Sequence, residues 1–133
     1  MQTGKAIPEG LHSLTPYLIV PEPAETIAFL ERAFDGREVH RVGGSDGRVR
    51  HAQVQIGDSR VMLGAASPES PPMPAGVYAY VPDVDAAYAA ALDAGATSLS
   101  PPADEFWGDR VAGVQDGAGN KWFIATHVGR GRR

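Results

Sequence analysis

The chain has 133 residues, a formal net charge of -4 and 21% charged residues, a mixed-sign balance without the basic stripe that nucleic-acid binding needs. It has no cysteine, which excludes disulfides, thiolate metal sites and a cysteine nucleophile. The length suits one domain with a real core, or two very small modules that share one.

Met1 to Leu11 lacks the apolar stretch of a signal peptide, and no apolar run approaches the roughly 20 residues of a membrane span, so a cytoplasmic protein is expected. Tyr17 to Val20 is a short apolar run closed by Pro21 and reads as a strand. Pro23 to Phe34 reads as a helix. Ile27, Leu30 and Phe34 recur at helical spacing, Pro23 and Glu25 suit a first turn, and Gly36 is placed to end it. Three strands should follow, Glu38 to Val42, Val49 to Ile56 and Ser59 to Ala65, with turns at Asp46-Gly47 and Gly57-Asp58. Four prolines between Ser67 and Pro74 mark a linker.

The pattern then recurs. Val77 to Val81 is a strand closed by Pro82, and Asp83 to Ala94 is an alanine-rich helix ended by Gly95. Strands are expected near Thr97 to Ser100, at Asp109 to Gln115 and at Lys121 to Val128. The tail from Gly129 to Arg133 is basic but short and glycine-rich, so it reads as a frayed terminus rather than a phosphate-binding arm.

The recurrence holds a constant offset. Tyr17 and Tyr78, Val20 and Val81, Pro21 and Pro82, Met62 and Phe123, and Leu63 and Ile124 all lie 61 apart. Such an offset at both ends of the unit argues for a duplicated βαβββ module, since each half alone has too little core. The fold class is therefore α+β. Residues 1–66 form one module, 67–76 a proline-rich linker and 77–133 the second module, together making one domain.

This duplicated unit resembles the vicinal oxygen chelate superfamily of glyoxalase I, extradiol dioxygenases and bleomycin-resistance proteins, and more closely its PhnB-like branch. The matching segments are Pro16-Tyr-Leu-Ile-Val20, Ala33-Phe34, His51-Ala52, Ile56-Gly-Asp-Ser59, Val81-Pro-Asp-Val-Asp85, Gly108-Asp-Arg110 and Lys121-Trp-Phe-Ile-Ala-Thr-His127. They span about residues 14 to 128. One departure is Asp116-Gly-Ala-Gly119, where the family usually has Asp-Pro-x-Gly. The resemblance implies a curved mixed sheet with a cup-shaped cleft.

Metal-dependent members place ligands at equivalent spots in both halves, which here are Thr15, Gly76, Met62 and Phe123. None is a histidine or carboxylate. A slip of one or two residues does not help, because Ser59 to Ser67 and Asn120 to Arg133 contain no Asp or Glu. A divalent cation wants three or four oxygen or nitrogen ligands. The expectation is a cup without metal or other cofactor.

Strand residues alternate sides. Val54, Ile56, Val61 and Leu63 should pack on the helices, leaving His51, Gln53, Gln55, Arg60 and Met62 on the other face. Met62 holds a ligand position of metal-binding relatives, so by resemblance that face lines the cup. Counting back through the Asp46-Gly47 turn puts His40 and Glu38 there too. The same parity gives Thr15, Tyr17 and Ile19, then Tyr78, Tyr80, Lys121, Phe123 and His127, and Arg110 is placed with them. Trp107 reads either as a lid over a ligand or as a plug on the core, whereas Trp122 has core parity. Gly108-Asp109-Arg110 reads either as a structural turn, with Asp109 tying Arg110 or a backbone amide, or as a ligand contact. His51, Gln53 and Gln55 also fit an ordinary solvated sheet face. Gly43-Gly44 and Gly117 to Gly119 precede no helix and make no phosphate cradle.

Two readings of function follow. In the first, the cup binds a small aromatic or heterocyclic metabolite or antibiotic, with sequestration as the family precedent. Tyr17, His40, His51, Gln53, Arg60, Met62, Tyr78, Tyr80, Trp107, Arg110, Phe123 and His127 are then the ligand-binding set. In the second, a metal-independent isomerase, lyase or cyclase uses His51 or His40 as general base, with Arg110 or Lys121 stabilising an oxyanion. Open sheet edges and half-cups suggest a homodimer.

Overall fold

Each half of the chain folds into the same unit. The computed structural model describes residues 6–129, so all of the basic tail beyond Gly129 lies outside the described residues. In the first half β1 (Tyr17–Val20), α1 (Pro23–Phe34), β2 (Arg37–Gly43), β3 (Val49–Ile56) and β4 (Ser59–Ala65) give a sheet of order β1-β4-β3-β2. The second half repeats this with β5 (Gly76–Tyr80), α2 (Val84–Asp93), β6 (Thr97–Asp104), β7 (Asp109–Gln115) and β8 (Lys121–His127), in the order β5-β8-β7-β6. β1 runs parallel to β4 and β5 to β8, and the other neighbours are antiparallel. The register repeats as well: Tyr17 lies opposite Met62, and Tyr78 opposite Phe123. The α+β fold of two tandem βαβββ modules is the one the 61-residue offset implies.

Helix α1 buries Ile27, Leu30, Ala33 and Phe34 along one stripe, against β3. Its end differs from the expectation. Asp35, at φ 57°, takes the left-handed position, and the Gly36 amide donates to the Leu30 carbonyl at 3.1 Å. Gly36 is needed for a different reason, because a Cβ there would lie 2.9 Å from Val54 Cγ1 and 3.0 Å from the Leu30 oxygen. Helix α2 is capped by Asp83, whose carboxylate accepts from the Ala86 amide. Its small side chains let it lie against α1 and β7.

Trp122 on β8 joins the halves. It is buried, as its parity predicts, and packs on Phe34 and Phe29 of α1 with ring centroids 5.2 and 6.4 Å apart. Its indole nitrogen donates to Asp116 Oδ2 at 2.9 Å. Leu18, Leu30 and Leu63 from the first half and Val114 and Ile124 from the second lie in the same buried cluster. Full burial of such a side chain contributes roughly 1.5–3 kcal/mol.

Two irregularities change the sequence reading. β6 continues through Pro101 and Pro102 to Asp104, where a loop was expected from Pro101. It is an edge strand with register breaks between Ser98 and Ser100 and between Ser100 and Ala103, the setting in which prolines are tolerated. In β2 a register shift at Val39 places Glu38 opposite Val54 and His40 opposite Gln53. Only His40 therefore faces the cup. Glu38 turns to the helix side and binds Arg41, which corrects its expected placement. Among the described residues no helix is long and apolar enough to cross a membrane.

Candidate functional site

The second sheet holds its exposed aromatic residues through one buried carboxylate. Asp109 opens β7 directly opposite His127 at the end of β8. Its alternation puts it on the face that carries Tyr78, Tyr80 and Phe123, and it is 1% exposed. Its Oδ2 accepts from the Tyr78 hydroxyl at 2.7 Å, the Tyr80 hydroxyl at 2.8 Å and the Trp107 indole at 3.2 Å. Its Oδ1 lies 2.9 Å from His127 Nδ1. That contact assigns the proton of neutral His127 to Nδ1 and leaves Nε2 as the free nitrogen.

The charges respond. Hydrogen bonds from His127 and then Tyr78 hold the Asp109 carboxyl down to about 2 against its burial. The hydrogen bond to Asp109, with burial second, pushes the Tyr80 phenol up to about 12. Burial first, and the Asp109 bond second, raise Tyr78. Phenol and indole polar ends are thus occupied by the carboxylate, while the three side chains stay partly exposed.

The first sheet carries a different arrangement. Tyr17 lies over β4 because Gly64 has no side chain; a Cβ there would be 2.6 Å from the Tyr17 hydroxyl. The Tyr17 ring reaches His51, with centroids 5.6 Å apart. Arg60 Nε donates to Gln55 Oε1 at 2.9 Å and its Nη1 to Gln53 Oε1 at 3.2 Å. Gln55 in turn donates to the Gly57 carbonyl, which fixes the direction of its amide. Met62 lies opposite both Tyr17 and Gln53, and His40 opposite Gln53.

Between the two sheets runs a cleft of about 530 Å³. Residues before β1, the turn into β4 and the strand β5 line it, so that Arg60, Tyr78 and Tyr80 share one cavity with Leu11, His12 and Leu14. That volume is in the range of small-molecule sites.

Of the residues chosen from sequence, Tyr78, Tyr80, Trp107 and His127 meet at Asp109, and Tyr17, His51, Gln53, Arg60 and Met62 share the first sheet face. Phe123 is on the cup face beside Tyr78. Trp107 is not a core plug. It is 39% exposed and stands edge-on to Phe106. Arg110 is a correction. Next to Asp109 in a regular strand, it points to the helix side and pairs with Asp85 at 3.2 Å and Asp104 at 3.3 Å, away from the cup. Asp109 was read as a turn residue tied to Arg110 or the backbone, or as a ligand contact, and its role as the shared acceptor was missed. The signal was present: a β7–β8 hairpin closing at Asp116-Gly-Ala-Gly119 puts Asp109 across from His127. The lining by Leu11, His12 and Leu14 left no such signal, because that segment belongs to no strand or helix.

The cup does not suit a metal ion. Met62 and Phe123 offer no hard donor, and among the described residues no group of three or more His, Asp or Glu side chains is placed to hold one. Asp109 already accepts from four side chains.

A family model described as the Glyoxalase/Bleomycin resistance protein/Dioxygenase superfamily matches residues 10–124. The uncharacterized protein Mb0911c of Mycobacterium bovis is 36% identical over 127 residues, covering 87% of this chain and 84% of that one. The crystal structure of TioX from Micromonospora sp. ML1 superposes with a TM-score of 0.74 at 27% identity, over 87% of this chain and 98% of TioX. TnmS3, an antibiotic binding protein from Streptomyces sp. CB03234, gives a TM-score of 0.69 at 24% identity, over 93% of this chain and 99% of TnmS3.

Proposed function

The chain belongs to the glyoxalase/bleomycin resistance protein/dioxygenase superfamily, and from that premise we propose that it is a metal-independent binding protein for a small aromatic or heterocyclic molecule, on the PhnB-like side of the family. The observation that carries this reading is the cleft walled by Tyr78 and Tyr80, whose hydroxyls are tied down on Asp109. Rings held in this way lose little freedom when a flat ligand stacks on them. Antibiotic sequestration is the physiological form we favour. TnmS3 supports it only through the shared fold, since its identity is 24%.

Tryptophan fluorescence tests the reading. Titration with a panel of planar aromatic and heterocyclic compounds should change the emission, since Trp122 lines the cleft and the Trp107 indole donates to Tyr78 and Asp109; Trp107→Phe divides the change between the two tryptophans. A panel without any binder overturns the proposal. Elemental analysis of the purified protein should find no stoichiometric metal. We also propose a homodimer, because β5 pairs on one side only and leaves its other edge along the cleft. A monomer mass in light scattering at every concentration would overturn that part.

A second reading has its own support in the His127–Asp109 contact. An imidazole oriented by a buried carboxylate, with Nε2 free, is arranged as a general base for an isomerase, lyase or cyclase. His51, one of the two bases suggested by sequence, lies against the Tyr17 ring and makes no side-chain hydrogen bond among the described residues. His127→Gln separates the readings. A base would lose about 10²–10⁴-fold in turnover with ligand affinity little changed, whereas a binding protein has no turnover to lose.

A further inference from the structure

Arg60 has an unusual set of partners for a half-buried arginine. Both of its hydrogen-bond acceptors are neutral amide oxygens, on Gln55 directly opposite and Gln53 diagonally opposite on β3. Asp58 also lines the cleft, but its Oδ1 accepts from the Ser59 hydroxyl, and among the described residues no carboxylate forms an ion pair with Arg60. Arg32, Arg41, Arg48 and Arg110 each pair with an acidic side chain, whereas Arg37 and Arg50, which like Arg60 pair with none among the described residues, are exposed.

The guanidinium is also held in place. The backbone of Gly10 lies against it so closely that a Cβ there would be 2.5 Å from Nη2. The glutamine pair occupies Nε and Nη1, and Nη2 has no hydrogen-bond partner among the described residues. A guanidinium keeps its charge at every working pH and recognises planar acids through paired donors. Tyr78 and Tyr80 line the same cleft. Asp109 adds no free acceptor on the aromatic side, because it is buried and already bonded.

We propose that the cleft selects planar aromatic acids, with Arg60 binding the carboxylate or an equivalent anionic group while the ring system lies on Tyr78 and Tyr80. This rests on the cleft being the ligand site and adds the charge of the ligand. The glutamines act as positioning residues, satisfying two donors without cancelling the charge that the ligand meets.

The probes are 2-naphthoate and its uncharged counterpart 2-naphthamide, titrated calorimetrically into the full chain at low and moderate salt. The expected result is at least about a 10-fold preference for the acid, diminishing with salt. Arg60→Gln should abolish the preference, and Arg60→Lys should retain part of it. Circular dichroism and thermal melting establish that each variant is folded. Equal affinity for acid and amide, or a preference that survives Arg60→Gln, overturns the assignment of charge and leaves the aromatic site standing. Failure of both probes to bind overturns the charge assignment together with the cleft reading on which it rests.

Discussion

Replacing Asp109 by asparagine should release the two phenols. In the native protein Tyr80 is pushed up to about 12, chiefly by its hydrogen bond to Asp109. At pH 11 a phenol of that pKa is about one-tenth ionised, whereas one near the ordinary 10 is about nine-tenths ionised. Asp109→Asn removes the negative charge and substitutes an amide that accepts on one side only. Its NH2 group would face donors from Tyr78, Tyr80, Trp107 or His127. Up to about 0.8 of an additional phenolate per chain is therefore expected from Tyr80 at pH 11, less the part that its burial still holds back. Tyr78 should add a smaller share, since burial is the larger cause of its shift and survives the substitution. The phenolate absorbance band measures this directly, with far-ultraviolet circular dichroism showing that both proteins remain folded. Tyr80→Phe in each background assigns the change. Equal phenolate content at pH 11 in folded native and variant proteins would show that the carboxylate does not hold the phenols.

The acid limb of stability has a definite sign. The Asp109 carboxyl is lowered from 3.8 to about 2 in the folded chain, so the unfolded chain binds more protons between those values. Its contribution is present above pH 3.8 and is lost as pH falls through about 2. Asp109→Asn should flatten this part of the curve, measured as urea midpoints across the interval. Gly36→Ala should cost about 1–3 kcal/mol, because the new Cβ meets Val54 and the Leu30 backbone. Gly64→Ala should cost less than about 1 kcal/mol, since the half-exposed Tyr17 ring can swing aside. Denaturant unfolding that ranked these two in the opposite order would contradict the packing argument. Trp122→Phe should cost about 1–3 kcal/mol by removing the donor to buried Asp116 Oδ2, in addition to lost packing, measured in the same assay.

The repeat was the most legible feature of the sequence. Strand and helix limits at Tyr17–Val20, Pro23–Phe34, Val49–Ile56, Ser59–Ala65 and Asp109–Gln115 follow from alternation, helical spacing and turn residues, and the structure has the same limits. Errors arose where a local irregularity reset the parity. The bulge at Val39 turned Glu38 to the other face, and alternation has no means of registering an added residue. Counting from the β7–β8 turn puts Asp109, not Arg110, on the cup face. The prolines of β6 imitated a loop because an edge strand needs hydrogen bonds on one side only. The Asp109 cluster was harder to see, since its members come from β5, the loop before β7, β7 and β8. Pairing between strands brings them together, and proximity in sequence reveals little of it.

The duplicated backbone carries two unequal sets of side chains. Gln53 lies opposite Met62 and Gly113 opposite Phe123, so along β3 and β7 the offset is 60; Asp109 then corresponds to Val49 and His127 to Ala66, and the first half lacks the carboxylate–imidazole pair. Conversely Arg60 corresponds to Lys121, which has Gln115 opposite it as Arg60 has Gln55, but Gly113 where the first half has Gln53. A molecule lying between the halves consequently finds a fixed cation toward one side and aromatic faces toward the other. Turned end for end, it would leave the guanidinium without an anion and press its own charge on the rings. If Arg60 holds the anion as proposed, a nearly symmetric frame would still seat its ligand in one direction. A site of this kind can tell the two ends of a molecule apart even when they have the same size.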